Sequence, residues 1–174
     1  MLIMRAAAAA FILSAASAAS AQSTPVPPDK NADGKALILV PLTLTKVDDL
    51  DFGTIVPSSL SGTVAINATS GARSVTGGVT AVTSAPGKRA LFAGAGSPNQ
   101  QVIITYNSPT DLVSTTNSAD TIPVLALTLQ GSAVKTIDPA TRAFSFGIGG
   151  VLQINGDQPE GLYQSSFDVT ANYQ

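Results

Sequence analysis

Polar and apolar positions alternate along the end of the chain: Tyr163, Ser165, Phe167, Val169, Ala171 and Tyr173 fall on one register, Gln164, Ser166, Asp168, Thr170 and Asn172 on the other. Side chains of a strand point in turn to its two faces. This period of two therefore predicts an amphipathic β-strand over 163–173, with the tyrosines, Phe167 and Val169 inward and the amides and Asp168 in water. From Ala36 onward the chain is rich in Val, Ile, Leu, Thr and Ser, and Gly, Pro or Asn interrupts it at short intervals. Such residues fit a pleated, half-buried surface, and the interruptions mark turns. Strands are predicted over 36–46, 50–55, 63–68, 75–82, 89–93, 101–106, 122–130, 143–148 and 151–154.

In 122–130, Val124, Ala126 and Thr128 share one face. Leu125, Leu127 and Leu129 share the other, which is expected to meet the core. Pro41 lacks an N–H for a ladder, so the first strand is expected at a sheet edge or at a change of partner. The pairs Gly77-Gly78 and Gly149-Gly150 lie in strand-like runs and predict bulges or tight turns. No later stretch shows a helical period with caps. The expected fold is a single all-β domain over 36–174, a sandwich of two antiparallel sheets.

The N-terminus reads differently. Arg5, an apolar run from Ala6 to Leu13 and the small residues Ala19, Ser20 and Ala21 form the pattern of a secretory signal peptide, cut between Ala21 and Gln22. Its apolar run falls short of the roughly 20 residues a membrane span needs, and no later segment is long enough either. Residues 22–35, with Pro25, Pro27, Pro28, Asp33 and Gly34, read as a flexible lead-in. Without Arg5, eight basic residues stand against eleven acidic ones, a net charge of −3. The basic residues are scattered, Lys88-Arg89 being the nearest to a cluster, which argues against a nucleic-acid partner.

Composition also narrows the chemistry. The chain has no histidine, cysteine or tryptophan, and Glu160 is its one glutamate. A serine nucleophile would lack the usual histidine base, and no S-x-x-K motif supplies a lysine instead. Glu160, between Pro159 and Gly161, reads as a turn residue rather than half of a glycosidase carboxylate pair. Asp48, Asp49 and Asp51 lack the spacing of a calcium loop. Asp29, Asn31, Asp33 and Gly34 open like an EF-hand, but Val40 stands where its closing glutamate belongs. Neither a metal nor a cofactor is expected, and the chain is expected not to be an enzyme.

Two groups of residues carry a family resemblance. One is Leu50, Asp51, Phe52, Gly53, Thr54, Ile55 and Val56, followed by Gly62-Thr63-Val64, Gly71-Ala72-Arg73 and Gly77-Gly78-Val79. The other is Phe146-Gly147-Ile148-Gly149-Gly150-Val151-Leu152, with Gly156, Gln158, Gly161, Tyr163 and Phe167. Together they resemble a family of secreted bacterial domains of unknown function, family 4402, which implies no particular activity. More distantly, the order of an L-x-F-G strand, a G-T-V strand and a closing Gly, Tyr and alternating strand is similar to spore-coat-U-like and chaperone-usher pilus subunits.

That second resemblance implies an immunoglobulin-like, pilin-like sandwich that a donated strand completes. It also implies a periplasmic chaperone and further copies of the chain as partners, and a destination at the cell surface or in the medium. Ala36, Ile38, Val40, Leu42 and Leu44 are the candidate donor strand. Gly161, Tyr163, Phe167, Val169, Ala171 and Tyr173 are the candidate chaperone-facing strand. The cysteine pair usual in such subunits is absent. The expected function is that of a non-enzymatic fibre subunit, with a self-complete secreted binding or adhesin module as the alternative and an enzyme as a distant third.

Overall fold

The computed structural model describes residues 33–174. The chain divides into two units, Met1–Ala36 and Leu37–Gln174. Of the first unit only 33–36 are described, exposed and without regular secondary structure. The expected signal peptide, 1–21, and most of the expected lead-in, 22–35, lie outside the described residues.

The second unit carries eleven strands: β1 (Thr43–Asp48), β2 (Ile55–Ile66), β3 (Arg73–Ala81), β4 (Ala90–Ala95), β5 (Gln101–Tyr106), β6 (Asp111–Ser114), β7 (Thr121–Leu129), β8 (Val134–Thr136), β9 (Ala143–Ile154), β10 (Tyr163–Gln164) and β11 (Val169–Tyr173). There is no helix among the described residues. The fold is all-β and sandwich-like, and every pairing is antiparallel. The larger sheet runs β1-β4-β9-β7-β6-β10, with β2 joined to β9 and β3 to β2; the smaller runs β11-β5-β8.

β9 organises the larger sheet. Its first half, Ala143–Ile148, pairs with β4, and its second half, Gly150–Ile154, pairs on the same side with β2. β7 covers the opposite edge across Ile148–Leu152. At the change of partner the chain passes so close that a Cβ on Gly149 would overlap the Ile66 carbonyl oxygen, and one on Gly147 that of Ala68. Glycine is required there by backbone approach. The two strands expected over 143–148 and 151–154 are therefore one, because Gly149-Gly150 lets the strand run on beneath its neighbour instead of turning.

Two apolar clusters fill the interior. The first joins Ala90, Phe92, Phe144, Phe146 and Ile148 of the larger sheet to Val102 and Ile104 of the smaller one, with Ile137. Phe146 stacks between Phe92 and Phe144, with ring centroids 5.4 and 6.4 Å away. The second cluster is Val64, Val79, Ile122, Leu152 and Ile154, from β2, β3, β7 and β9.

Several predicted elements change in detail. The strand expected over 36–46 begins only at Thr43, past Pro41, and β1 lies at the end of the larger sheet as the proline implied. Residues 50–54 form a loop, and the strand begins at Ile55. In β7 the register shifts between Val124 and Ala126. This bulge reverses the alternation, so Leu125 is exposed while Leu127 and Leu129 pack inward. In β2 the register slips between Pro57 and Gly62, opposite Gly77-Gly78, with Gly77 at φ +65°. The expected single strand over 163–173 is two: β10 pairs with β6, and β11 pairs with β5 in the other sheet. β6 and β8 match none of the predicted strands; each is four residues or fewer and too short to show a period.

Candidate functional site

The loop Leu50–Thr54 leads from β1 to β2 and is held by a knot of backbone bonds. Asp51 and Lys88 exchange a pair of N–H to C=O bonds of 2.9 and 2.7 Å. The Asp51 carboxylate accepts from the Gly53 N–H at 2.7 Å, closing a side-chain turn. Gly53 has φ +71°, and Gly87 opposite it has φ +78°. The guanidinium of Arg73 donates to the carbonyls of Phe52, Thr54 and Ala85 at 3.0, 3.0 and 2.9 Å and to that of Val82 at 2.6 Å. Four backbone oxygens from two loops thus converge on one cation. The motif residues Leu50, Asp51, Phe52 and Gly53 serve to aim Phe52 and Leu50 inward: Phe52 packs on the second core cluster and Leu50 on the first.

The neighbouring carboxylates are partnered. Asp48 pairs with Lys88 at 2.6 Å and Asp49 pairs with Lys46. The hydrogen bond and charge of Asp48 hold the Lys88 ammonium above its ordinary pKa. No group of three metal-ligating side chains occurs among the described residues.

Beside this knot runs an apolar groove. Two adjoining cavities of about 400 and 410 Å³ share Thr54, Ile55, Ile122, Gly161 and Tyr163. Leu112, Val124 and Leu152 line the first, and Ile154 the second. The floor is thus largely the second core cluster left open on one side. One rim is 50–57. There Ile55–Pro57 pairs with β3 along one edge, but β9 covers the other edge of β2 only from Gly62 to Ile66. The opposite rim is 160–167. Ser165, Ser166 and Phe167 make no backbone hydrogen bond among the described residues. Val56 and Leu162 stand on the two rims, 51% and 65% exposed.

Tyr163 fixes the second rim. Its hydroxyl donates to the Pro159 carbonyl at 2.8 Å and accepts from the Gln158 amide at 3.1 Å, and that amide also donates to the Thr121 carbonyl. Gly161 lines both cavities. Phe167, Val169, Ala171 and Tyr173 are half-buried against the first core cluster, so the alternation of the closing segment survives its switch of sheets. Glu160 sits exposed in the turn.

The candidate donor residues divide into two groups. Leu42 and Leu44 are half-buried and pack on the first core cluster. Ile38 is 92% exposed and Val40 46%, as is their neighbour Leu37 at 75%, and none of these is in a strand; Ala36, in the first unit, is exposed as well. Val40 is where this segment is tied down. Its N–H donates to Ser97 Oγ at 2.8 Å, and its carbonyl accepts from Tyr173 Oη at 2.7 Å. Tyr173 Oη in turn accepts from the Ser97 N–H at 2.8 Å.

The hydrophobic pattern marks neither Arg73 nor Ser97. Arg73 carried a signal as part of the Gly71-Ala72-Arg73 motif, whereas Ser97 carried none. Nor does the groove show in the pattern, since each of its walls reads as an ordinary half-buried strand.

A family model described as Domain of unknown function (DUF4402) matches residues 42–173. No curated protein and no solved structure matches the chain at a significant level.

Proposed function

The chain belongs to the DUF4402 family, and from that premise we propose that it is an exported, non-enzymatic structural subunit that assembles with copies of itself by β-strand addition. The observation that carries this reading is the apolar run Leu37–Val40, exposed at Leu37, Ile38 and Val40, two residues before an edge strand. Three exposed apolar residues within four positions cost free energy unless another surface covers them, and an extended segment beside a sheet edge is suited to pair with a second sheet. Support for a structural role comes from the lack of histidine and cysteine. The signal-like N-terminus supports export, with the cell surface as destination and a periplasmic chaperone shielding the closing strand on the way.

A self-complete binding module is the second reading. It is favoured by Leu42 and by Leu44 of β1, which the chain itself supplies to the core.

The test is to append a second copy of 35–41 through a flexible linker to the C-terminus and to follow thermal unfolding and oligomeric state. A subunit should become monomeric and gain about 10 °C or more in midpoint, the equivalent of about 3 kcal/mol at this chain length. An unchanged midpoint with a parent that is already monomeric would favour the self-complete module.

A further inference from the structure

We propose that the groove between 50–57 and 160–167 receives Leu37–Leu39 of a second copy of this chain, laid in as an extended strand. This rests on the assembly reading above and adds the receiving surface to it.

The groove suits such an occupant in shape and chemistry. Its floor is apolar, and its rims expose Val56 and Leu162. Backbone groups on the rims have no partner strand: β9 stops short of Ile55–Pro57, and Ser165–Phe167 make no backbone bond among the described residues. An extended peptide there gains ladder bonds from its main chain and buries alternate side chains, the two contributions to strand addition. Two carboxylates, Asp51 and Glu160, line the groove, with no lysine or arginine among its lining residues. Lys35 is the charged residue nearest the apolar run, and its ammonium complements these carboxylates, with Asp33 two positions farther off.

The occupant must come from another copy. Val40 is pinned by Ser97 and Tyr173. From Val40 the chain reaches the groove's first residue, Leu50, only after the six residues of β1, about 20 Å of extended strand. On the opposite rim, β11 separates Tyr173 from Phe167 by a similar length, about 20 Å. The three residues Leu37–Leu39 ahead of the pin span at most about 10 Å. The latch at Val40 thus presents the segment outward and keeps it from its own groove.

The chain has no cysteine, so disulfide trapping reads the contact directly. Full-length Ile38→Cys, carrying a tag that changes its size, is mixed with untagged Leu162→Cys and oxidised mildly. The control partner is Leu125→Cys, also exposed, on β7, but outside the groove. The expected result is a mixed disulfide dimer in about tenfold excess over the control, as the local concentration at a docked contact requires, and a ladder of multimers from the double variant Ile38→Cys/Leu162→Cys.

Equal trapping by Leu125→Cys, or a double variant that closes within one chain, overturns the proposal. If the parent oligomerises but Leu162→Cys traps no more than the control, the groove falls as the receiving surface while the assembly reading stands. A parent that stays monomeric at every concentration and yields no mixed dimer sinks both.

Discussion

Tyr173 Oη donates a 2.7 Å hydrogen bond to the carbonyl of Val40, across 133 positions of sequence. The same oxygen accepts from the Ser97 N–H, and the Ser97 hydroxyl accepts from the Val40 N–H, so three residues from the two ends and the middle of the chain close a ring of bonds. A Cβ on the adjoining Gly96 would overlap the Tyr173 hydroxyl. The closing strand and the segment that leads into the first strand are therefore one mechanical unit. Replacing Tyr173 with Phe keeps the ring and removes both of its bonds. The expected cost is about 1–2 kcal/mol in denaturant unfolding, with faster amide exchange at Ser97.

Arg73 binds four backbone carbonyls across two loops. Hydrogen bonds from a charged group to buried or half-buried acceptors are the stronger kind, though bonds to one group do not add fully. Arg73→Ala is expected to lower stability by about 2–4 kcal/mol, and Arg73→Lys, with one nitrogen in place of a planar fork, to recover less than half of that. Equilibrium urea unfolding of the three proteins measures both.

Gly53 and Gly71 have nearly the same positive φ, +71° and +74°, but different surroundings. A Cβ on Gly53 would overlap the Ala85 carbonyl and come within 2.7 Å of the Gly87 nitrogen, while the nearest atom to one on Gly71 is 3.6 Å away. Gly71→Ala should therefore cost only the conformational strain, about 1–2 kcal/mol. Gly53→Ala adds a backbone clash and is expected to cost about 3 kcal/mol or more. Because Phe52 lines the groove beside Gly53, the proposed strand addition predicts that any concentration-dependent assembly weakens together with the midpoint. Equal costs for the two variants would mean that the knot relaxes freely.

Asp138 accepts from the Thr141 N–H, the Thr141 hydroxyl and the Ala140 N–H, and these bonds hold its carboxyl below the usual range. A folded pKa below the unfolded one stabilises the protein above the unfolded value, near about 3.9, and that stability is lost as pH falls through the folded value. Asp138→Asn should therefore be less stable than the parent at pH 6, with the gap closing below about pH 4. Unfolding midpoints across that range check it, and a gap that stays constant with pH would refute it.

Much of the fold could be read in the pattern because burial writes itself locally. β5 matches its predicted bounds, 101–106, and the inward positions Phe167, Val169, Ala171 and Tyr173 follow from alternation alone. Alternation tells which face is buried but not against which sheet. The closing segment keeps its period while passing from β6 to β5, and nothing in its residues marks the crossing. Leu125 shows the converse failure: a bulge imposed by pairing with β9 moved one leucine of three to the surface, although the local pattern is unbroken. The L-D-F-G motif was visible as a motif, but its work, a loop tied to Lys88 and Arg73, depends on residues 20 or more positions away, such as the Phe52–Arg73 bond.

The sequence by itself determined an all-β chain with an edge-forming start and an amphipathic end, because side-chain period acts over a few residues. Only the tertiary structure decided that Leu42 and Leu44 belong to the core while Leu37 and Ile38 stand in water, that Tyr173 holds Val40, and that an apolar groove is left open between 50–57 and 160–167. Each of these depends on which backbones meet, and strand partners distant in sequence are chosen by the packing of the whole sandwich rather than by any local preference.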